Sequence, residues 1–310
     1  MVGFKSRTAQ TVVSCYSLLD LTVTEGIEDY TEGIYEGDVN RPYKDAQRTQ
    51  GNYLLDEVRC RKGSRILDIG CGNGTLLELI REKNAVGSGI TISQPQVNRC
   101  KRKGLEVYLM NYRDIPKKWN NQFEGIIANG SIEHFVQPQD VIAGRQDEIY
   151  RELFEICCRI LNPSSEDGRF VTTIIHYNRE PNPQDFLNSP FSFPKDSDQF
   201  HYSLLNKAFG GYYPVIGQLE RCAKGIFELE KEVDGTYDYH LTSEHWLKQF
   251  KKALFINPVF MAKLAGKIIR HPCHTSAMLA CLSGPQSWAW QFRTDNPPTK
   301  LLRQTWRCSS

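Results

Sequence analysis

The sequence predicts an α/β fold with a doubly wound, mostly parallel sheet of seven strands, helices on both faces, an N-terminal helical cap and an inserted lid. Two observations lead to this prediction. Short apolar runs alternate with segments of helical periodicity along most of the chain. The first run, residues 66–69, enters a turn with three glycines, and a helical pattern begins directly behind it. Ligands of such folds bind at the carboxyl ends of the strands, so this turn marks the predicted site.

Seven segments are predicted to be the strands of the sheet. They lie at residues 66–69, 86–92, 105–110, 123–129, 169–175, 226–233 and 301–307. Helical patterns separate most of these segments. That alternation is typical of parallel strands joined by crossover helices.

The helices are predicted from periodicity and from their end signals. They cover residues 46–58, 76–80, 96–103, 140–161 and 217–224, and a further helix runs from His240 to a break near Pro258. Ser93 is suited to cap the third helix, with Pro95 in its first turn and Gly104 at its end. Each predicted helix therefore lies before the first strand or between two strands.

With 310 residues, the chain is long enough for one large domain with a sizeable core. We predict a cap segment over residues 1–55 and one domain over residues 56–310. Periodicity fails between residues 177 and 214, where prolines and aromatic residues are mixed. A long aromatic loop in a compact domain is more often a lid than a spacer, so a lid insertion is predicted there.

Composition argues against several partners. The 38 Lys and Arg balance 36 Asp and Glu to a net charge of +2, which gives no electrostatic footprint for nucleic acid. Polar residues interrupt the apolar segment between Thr11 and Leu21, and no uncharged run could cross a bilayer, so a cytoplasmic protein with reduced cysteines is expected. His271, Cys273 and His274 have no second cluster to complete a site, so no metal is predicted.

The glycine turn has the pattern Asp68-x-Gly70-x-Gly72-x-Gly74. Glycines let the backbone approach a ligand and take positive φ, and the helix behind them offers free N–H groups. The dinucleotide fingerprint requires G-x-G-x-x-G, but Thr75 stands where its third glycine would be. The spacing therefore argues against NAD or FAD.

This turn resembles the first motif of the class I S-adenosylmethionine-dependent methyltransferases, which have a Rossmann-like fold. Further motifs are similar, in order and spacing, to those of cyclopropane-fatty-acid synthases and mycolic-acid methyltransferases. They lie at residues 89–96, 111–114, 131–135, 176, 209–211 and 238–246. The resemblance covers the chain from about Tyr30 onward and implies S-adenosylmethionine as cofactor.

The resemblance also implies the cofactor-binding residues. They are Tyr35, Asp68, Gly70, Gly72, Gly74, Thr91, Gln96, Asn111, Tyr112 and Trp119. In this assignment Asn111 and Tyr112 meet the adenine, Trp119 covers it, and Tyr35 closes over the methionine end. Asn111 replaces the usual acid, and its amide can still bond the adenine edge.

Glu133, His176 and Tyr239 match three residues that hold a bicarbonate ion in the synthases, where the ion takes a proton after methyl transfer. The cysteine of that site falls on Gly37 here. The resemblance therefore implies a C-methyltransferase that acts on an alkene of an apolar, fatty-acyl or isoprenoid-like substrate. Glu133 or His176 would take the proton directly or through water.

Two other functions stay open. An N- or O-methyltransferase of a small metabolite could use the same cofactor domain, and a non-catalytic cofactor-binding protein is disfavoured because no cofactor glycine is lost. Six Lys and Arg residues between 248 and 270 are mixed with aromatic residues. For this region we favour the interpretation that the charged residues face solvent and the aromatic residues belong to the core. Membrane contact is therefore expected to be at most peripheral. The oligomeric state is not predicted.

Overall fold

Seven strands form one sheet in the computed structural model, which describes residues 30–163 and 168–309. In chain order they are β1 (Arg65–Ile69), β2 (Val86–Thr91), β3 (Glu106–Leu109), β4 (Gly125–Asn129), β5 (Arg169–Tyr177), β6 (Phe227–Asp234) and β7 (Thr299–Cys308). Their order in space is β3-β2-β1-β4-β5-β7-β6. β7 is antiparallel to both of its neighbours, and the other pairs are parallel. The predicted mostly parallel, seven-stranded sheet is confirmed. The segment between Thr11 and Leu21 lies outside the described residues.

Helices cover both faces of the sheet. They are α1 (Tyr43–Glu57), α2 (Thr75–Glu82), α3 (Gln94–Arg102), α4 (Pro138–Ile142), α5 (Gln146–Ile160), α6 (Asp198–Ala208), α7 (Gln218–Ala223), α8 (Thr236–Ile256), α9 (Pro258–Arg270), α10 (Pro272–Ser283) and α11 (Ser287–Trp290). Side chains alternate along a strand, so Ile66 packs into the core under α1 to α3, while Leu67 and Ile69 pack into the core shared by α5, α8 and α10. This two-sided packing is the doubly wound arrangement.

One predicted helix boundary is wrong. The single helix expected at residues 140–161 is divided into α4 and α5, because Gly144 has a left-handed φ of +69° that a continuous helix cannot contain. The predicted lid at residues 177–214 contains α6, which begins behind Ser197. The Ser197 Oγ accepts a hydrogen bond from the Phe200 N–H at 3.3 Å and so caps the helix.

A buried ion pair fixes the N-terminal segment to the last strand. Arg303 on β7 donates from Nε and Nη2 to the two carboxylate oxygens of Glu32, at 3.0 and 3.1 Å, and both side chains are almost fully buried. Its Nη2 also donates to Asp238 on α8 at 2.9 Å. Asp238 in turn accepts the backbone N–H of Tyr35 at 3.0 Å. Burial acts to lower the pKa of Arg303, but the two carboxylates outweigh it and raise that pKa.

We expect Arg303→Met to lower the free energy of unfolding by about 3–5 kcal/mol, because it leaves the Glu32 carboxylate buried without its partner. The double variant Arg303→Met, Glu32→Gln removes both charges and should lose clearly less. Urea unfolding of the two variants and the wild type measures the difference. Equal losses in the single and the double variant would contradict the pairing.

Among the described helices none is long and apolar enough to span a membrane.

Candidate functional site

A deep cleft lies at the carboxyl ends of β1, β2 and β4, and we call it the strand-end cleft. The loops that follow these strands and the N-terminal segment form its wall. Of the residues implied as cofactor-binding, it is lined by Asp68, Gly70, Gly72, Thr91, Gln96, Asn111 and Tyr112. The structure therefore brings together most of the set that the sequence places far apart.

Glycine is required at the turn after β1. Gly70 and Gly72 have left-handed φ values of +87° and +51°. A Cβ at Gly70 would lie 2.4 Å from the Cβ of Ser131, whose Oγ donates to the Ile69 carbonyl at 2.7 Å. The turn and the loop after β4 are thus held in close contact, with the N-terminus of α2 directly behind them.

Polar groups on β2 and after β3 give the cleft its hydrogen-bonding character. The Thr91 Oγ1 donates to the Gln96 Oε1 at 2.7 Å, which leaves the Gln96 amide nitrogen as a donor. The Asn111 Oδ1 accepts the Arg113 N–H at 3.0 Å, so its Nδ2 can donate to a ring nitrogen of a bound base. The Tyr112 ring stacks on Phe135 at a centroid distance of 4.4 Å.

Three of the residues that the resemblance implies as cofactor-binding do not line the cleft. Tyr35 is buried against α8, where its Oη accepts from the Thr242 Oγ1 at 3.4 Å. Trp119 packs edge-on against Tyr108, with ring centroids 5.3 Å apart. A Cβ at Gly74 would meet Leu105 at 2.6 Å, which indicates a packing role for this glycine. Their cofactor contacts stay predictions.

Other cleft residues were not predicted from the sequence. Tyr30 and Thr31 from the N-terminal segment line the cleft, and Gln50 on α1 also lines it. The Gln50 Nε2 donates to the Asn129 Oδ1 at 2.9 Å. No local motif marks these positions, because they become neighbours only when α1 packs beside the end of β4.

A smaller cavity adjoins the strand-end cleft, and we call it the aromatic pocket. Its wall is made of Tyr30, Gly130, Glu133, His134, Ile175, Phe209, Tyr213, Tyr239, Trp246, Leu282 and Trp288. Tyr30, Gly130 and His134 line both cavities. A ligand in the cleft and an apolar molecule in the pocket would therefore be separated by little more than these shared residues.

Glu133 brings a carboxyl group into the aromatic pocket. It lies on the turn after β4 and is only 5% exposed. Its Oε1 accepts the Ile175 N–H at 3.1 Å, and its Oε2 has no hydrogen-bond partner in the part of the chain that the structure describes. Burial raises the pKa of Glu133 to about 7, against the opposing effect of backbone N–H groups. The group can exchange a proton near neutral pH.

His176 is fully buried on β5 but does not line the aromatic pocket. Neighbouring side chains of a strand point to opposite faces, and it is Ile175 that reaches the pocket. The His176 Nδ1 lies 3.0 Å from the Ile174 carbonyl, an arrangement in which the ring nitrogen donates. Burial lowers the pKa of His176 to about 4. The structure therefore favours Glu133 over His176 as a proton acceptor.

Tyr239 on α8 lines the pocket within a cluster of aromatic rings. Its centroid is 4.3 Å from that of Phe292, 5.8 Å from Trp246 and 6.0 Å from Trp288. Of the three implied catalytic residues, the structure thus brings Glu133 and Tyr239 to one cavity. The assembled surface combines aromatic faces, which attract a cation, with one carboxyl group.

The raised pKa of Glu133 predicts a pH-dependent effect on stability. The folded chain binds this proton more tightly than the unfolded chain, so stability should fall as pH rises from about 4.5 through about 7. Glu133→Gln carries no charge and should be more stable than the wild type at about pH 8, by at most about 3 kcal/mol, and much less so at about pH 5. Urea unfolding at both pH values tests this. A stability difference that does not change with pH would contradict the burial of an ionisable Glu133.

Comparisons with known proteins bear on the family and the fold of the chain. A family model described as mycolic acid cyclopropane synthetase matches residues 22–257. The cyclopropane-fatty-acyl-phospholipid synthase of Escherichia coli (strain K12) is 27% identical over 214 residues, 67% of this chain and 47% of that protein. The 24-methylenesterol C-methyltransferase 2 of Arabidopsis thaliana is 31% identical over 134 residues, 40% of this chain and 34% of that protein.

A solved structure of a mycolic acid cyclopropane synthase, in complex with SAH and CTAB, covers 99% of both chains with a TM-score of 0.70 at 17% identity. This likeness shows the fold. The chain spans about half the length of the Escherichia coli relative. The family model covers well over half of the chain, and it confirms the predicted family and, with it, the cofactor. The chain belongs to the mycolic acid cyclopropane synthetase family, a family of S-adenosylmethionine-dependent enzymes.

Proposed function

We propose that the chain is a C-methyltransferase that transfers a methyl group from S-adenosylmethionine to an alkene carbon of an apolar, fatty-acyl or isoprenoid-like substrate. The observation that carries the proposal is the aromatic pocket, which holds the buried carboxyl of Glu133 and shares its wall with the strand-end cleft. An N- or O-methyltransferase has a more polar acceptor, for which this wall offers few partners.

The strand-end cleft suits the cofactor by its donor set and its backbone. Gly70 and Gly72 leave the approach to the backbone open, Gln96 offers a donor to the ribose, and Asn111 offers one to the adenine. Tyr112 adds an aromatic wall. When bound, S-adenosylmethionine supplies an electrophilic methyl group on a sulfonium.

The aromatic pocket supplies what an alkene acceptor requires. An alkene carbon is a weak nucleophile, so its alignment with the methyl group and the exclusion of water are the main catalytic contributions. Attack would form the new C–C bond from the π electron pair as the methyl–sulfur bond breaks. The electron pair of that bond would stay on sulfur, S-adenosylhomocysteine would be the leaving group, and a cation would remain on the neighbouring carbon. The faces of Tyr239, Trp246 and Trp288 can stabilise that cation.

Glu133 completes the reaction as the proton acceptor. A C–H bond next to the cation breaks, its electron pair forms the new double bond, and the Glu133 carboxylate takes the proton. A base works best when its pKa lies near the working pH, and burial raises the pKa of Glu133 to about 7. Gly37 provides no side chain where the synthases have a cysteine, which supports proton transfer without a bound bicarbonate.

Residues 177–214 fit the role of a lid. Phe209 and Tyr213, from the end of this segment, line the aromatic pocket, and Phe186 packs on Tyr212 with centroids 5.0 Å apart. The segment therefore forms part of the wall that keeps water from the acceptor. We propose that it admits the substrate and covers it.

Transfer of isotope from methyl-labelled cofactor tests the function. The acceptor panel contains unsaturated phospholipids, free unsaturated fatty acids, isoprenoid diphosphates, and small amines and phenols. We expect label in the lipid or isoprenoid fractions with the wild type and none with Gly72→Val. Label confined to the amines or phenols would favour N- or O-methylation, and no transfer to any acceptor would contradict the proposal.

A further inference from the structure

We infer that the end of α8 and the whole of α9 form a docking surface for an anionic lipid bilayer, beside the elements that build the aromatic pocket. The surface, which we call the basic-apolar face, comprises residues 248–270. Delivery of a substrate from the bilayer rests on the proposed function, whereas binding to the bilayer does not.

The basic-apolar face exposes large apolar side chains to solvent. Phe255 is 82% exposed, Ile256 70%, Val259 60% and Ile269 82%. Single exposed apolar residues are ordinary, but Phe255, Ile256 and Val259 lie within five residues of one another at the turn from α8 to α9, and such a group is typical of an interaction surface. Phe250 and Phe260 already supply the core-facing contact, with ring centroids 5.7 Å apart, so the exposed residues are not needed for the packing of α8 on α9.

The charge of this face has one sign. Residues 245–283 contain no Asp or Glu. Their cations, apart from histidine, are Lys248, Lys251, Lys252, Lys263, Lys267 and Arg270. A solvated helix face commonly alternates acids with bases, which pair along the helix. Cations that surround exposed apolar groups instead complement the negative surface of a bilayer whose interior takes up the apolar groups.

The basic-apolar face adjoins the helices that form part of the wall of the aromatic pocket. Tyr239 and Trp246 belong to α8, and Leu282 belongs to α10, which packs on α9. A bilayer bound to the basic-apolar face would therefore rest against the helical layer that encloses the pocket. None of the described helices is long and apolar enough to span a membrane, so the contact would be made in the plane of the interface.

From the sequence alone, the favoured interpretation of this region is a helix whose charged residues face solvent and whose aromatic residues belong to the core. For Trp246, Phe250 and Phe260 the structure agrees, since all three are buried. Phe255 differs, because α8 ends directly after it and turns at Pro258 into α9, which leaves the tip uncovered in the part of the chain that the structure describes. The exposed tip is the observation that changes the interpretation.

Vesicle sedimentation of the full chain tests the inference. We expect binding to phosphatidylglycerol-containing vesicles, little binding to pure phosphatidylcholine, and loss of binding as salt rises from about 0.05 M to about 0.5 M. The double variant Lys251→Glu, Lys252→Glu should bind anionic vesicles at least about tenfold more weakly. The matched control is Lys117→Glu, Lys118→Glu, an exposed lysine pair outside the face, which should bind as the wild type does.

A second pair of variants tests the apolar contribution. Phe255→Ser should weaken binding severalfold. Its control, Tyr237→Ser, removes an aromatic residue that is 55% exposed near the other end of α8, about 27 Å away, and should have no effect. Circular dichroism verifies that each variant is folded.

Equal affinity for anionic and neutral vesicles, or no binding to either, would overturn the inference. So would a self-associating wild type that Phe255→Ser converts to a monomer without any vesicle binding, because the face would then be an interface between copies of the chain. Since sedimentation involves no methyl transfer, its result is independent of whether the proposed reaction is correct.

Discussion

Replacement of Gly72 by valine is expected to abolish measurable cofactor binding. Gly72 lines the strand-end cleft with a φ of +51°. A branched side chain there is strained, and it would occupy the space where the backbone must come close to the ligand. We expect the affinity for S-adenosylhomocysteine to fall by at least about a hundredfold, equivalent to about 3 kcal/mol.

Isothermal titration calorimetry of the folded variant measures this loss. Gly63→Val is the matched control, because Gly63 also has a left-handed φ, of +82°, but lies in the turn before β1, where an added Cβ would meet none of the described atoms within 4 Å. The control also places a valine at a left-handed φ, but outside the cleft, and it should keep wild-type affinity. Unchanged affinity in Gly72→Val would refute the assignment of the cleft.

Glu133→Gln is expected to lower kcat by about 10² to 10⁴-fold while leaving the affinity for S-adenosylhomocysteine nearly unchanged. The substitution keeps the shape of the side chain and removes the base, so only the proton-transfer step is affected. The wild type needs the carboxylate form, and its activity should therefore fall as pH drops below about 7. In Glu133→Gln that acidic limb should be absent from the residual activity.

Glu220→Gln serves as the control for this substitution. Burial also raises the pKa of Glu220, but this residue lies on α7 and lines neither cavity. It should retain full turnover and the wild-type pH profile. Full turnover in Glu133→Gln, or an acidic limb that persists in it, would show that another group accepts the proton.

The sequence is informative where the chemistry is local. The turn from Asp68 to Gly74 can be recognised because the glycines, the strand before them and the helix behind them lie within a few residues of one another. The strands β1, β4 and β5 are equally visible, since strands buried on both faces form nearly continuous apolar runs. Because these signals are local, both the family and the sheet could be predicted from the sequence alone.

The pocket could not be predicted in this way. Tyr30, Tyr213 and Trp288 come from three distant segments and meet only through tertiary packing. Neither the face of β5 to which His176 belongs nor the pKa of Glu133 is visible in a motif, since both depend on which groups surround them in the fold. Gly144 shows a different limit, because periodicity continues across a residue whose backbone ends the helix.

One measurement tests the central claim most directly: mass spectrometry of the product formed with S-adenosylmethionine that carries a trideuterated methyl group. If Glu133 takes a proton from the substrate carbon, the methyl group remains whole, and the product should be a methylated alkene that retains all three deuterium atoms. Closure of a cyclopropane ring would instead remove one deuterium from the transferred carbon. A product that has lost one deuterium, or that carries the methyl group on nitrogen or oxygen, would contradict C-methylation of an alkene.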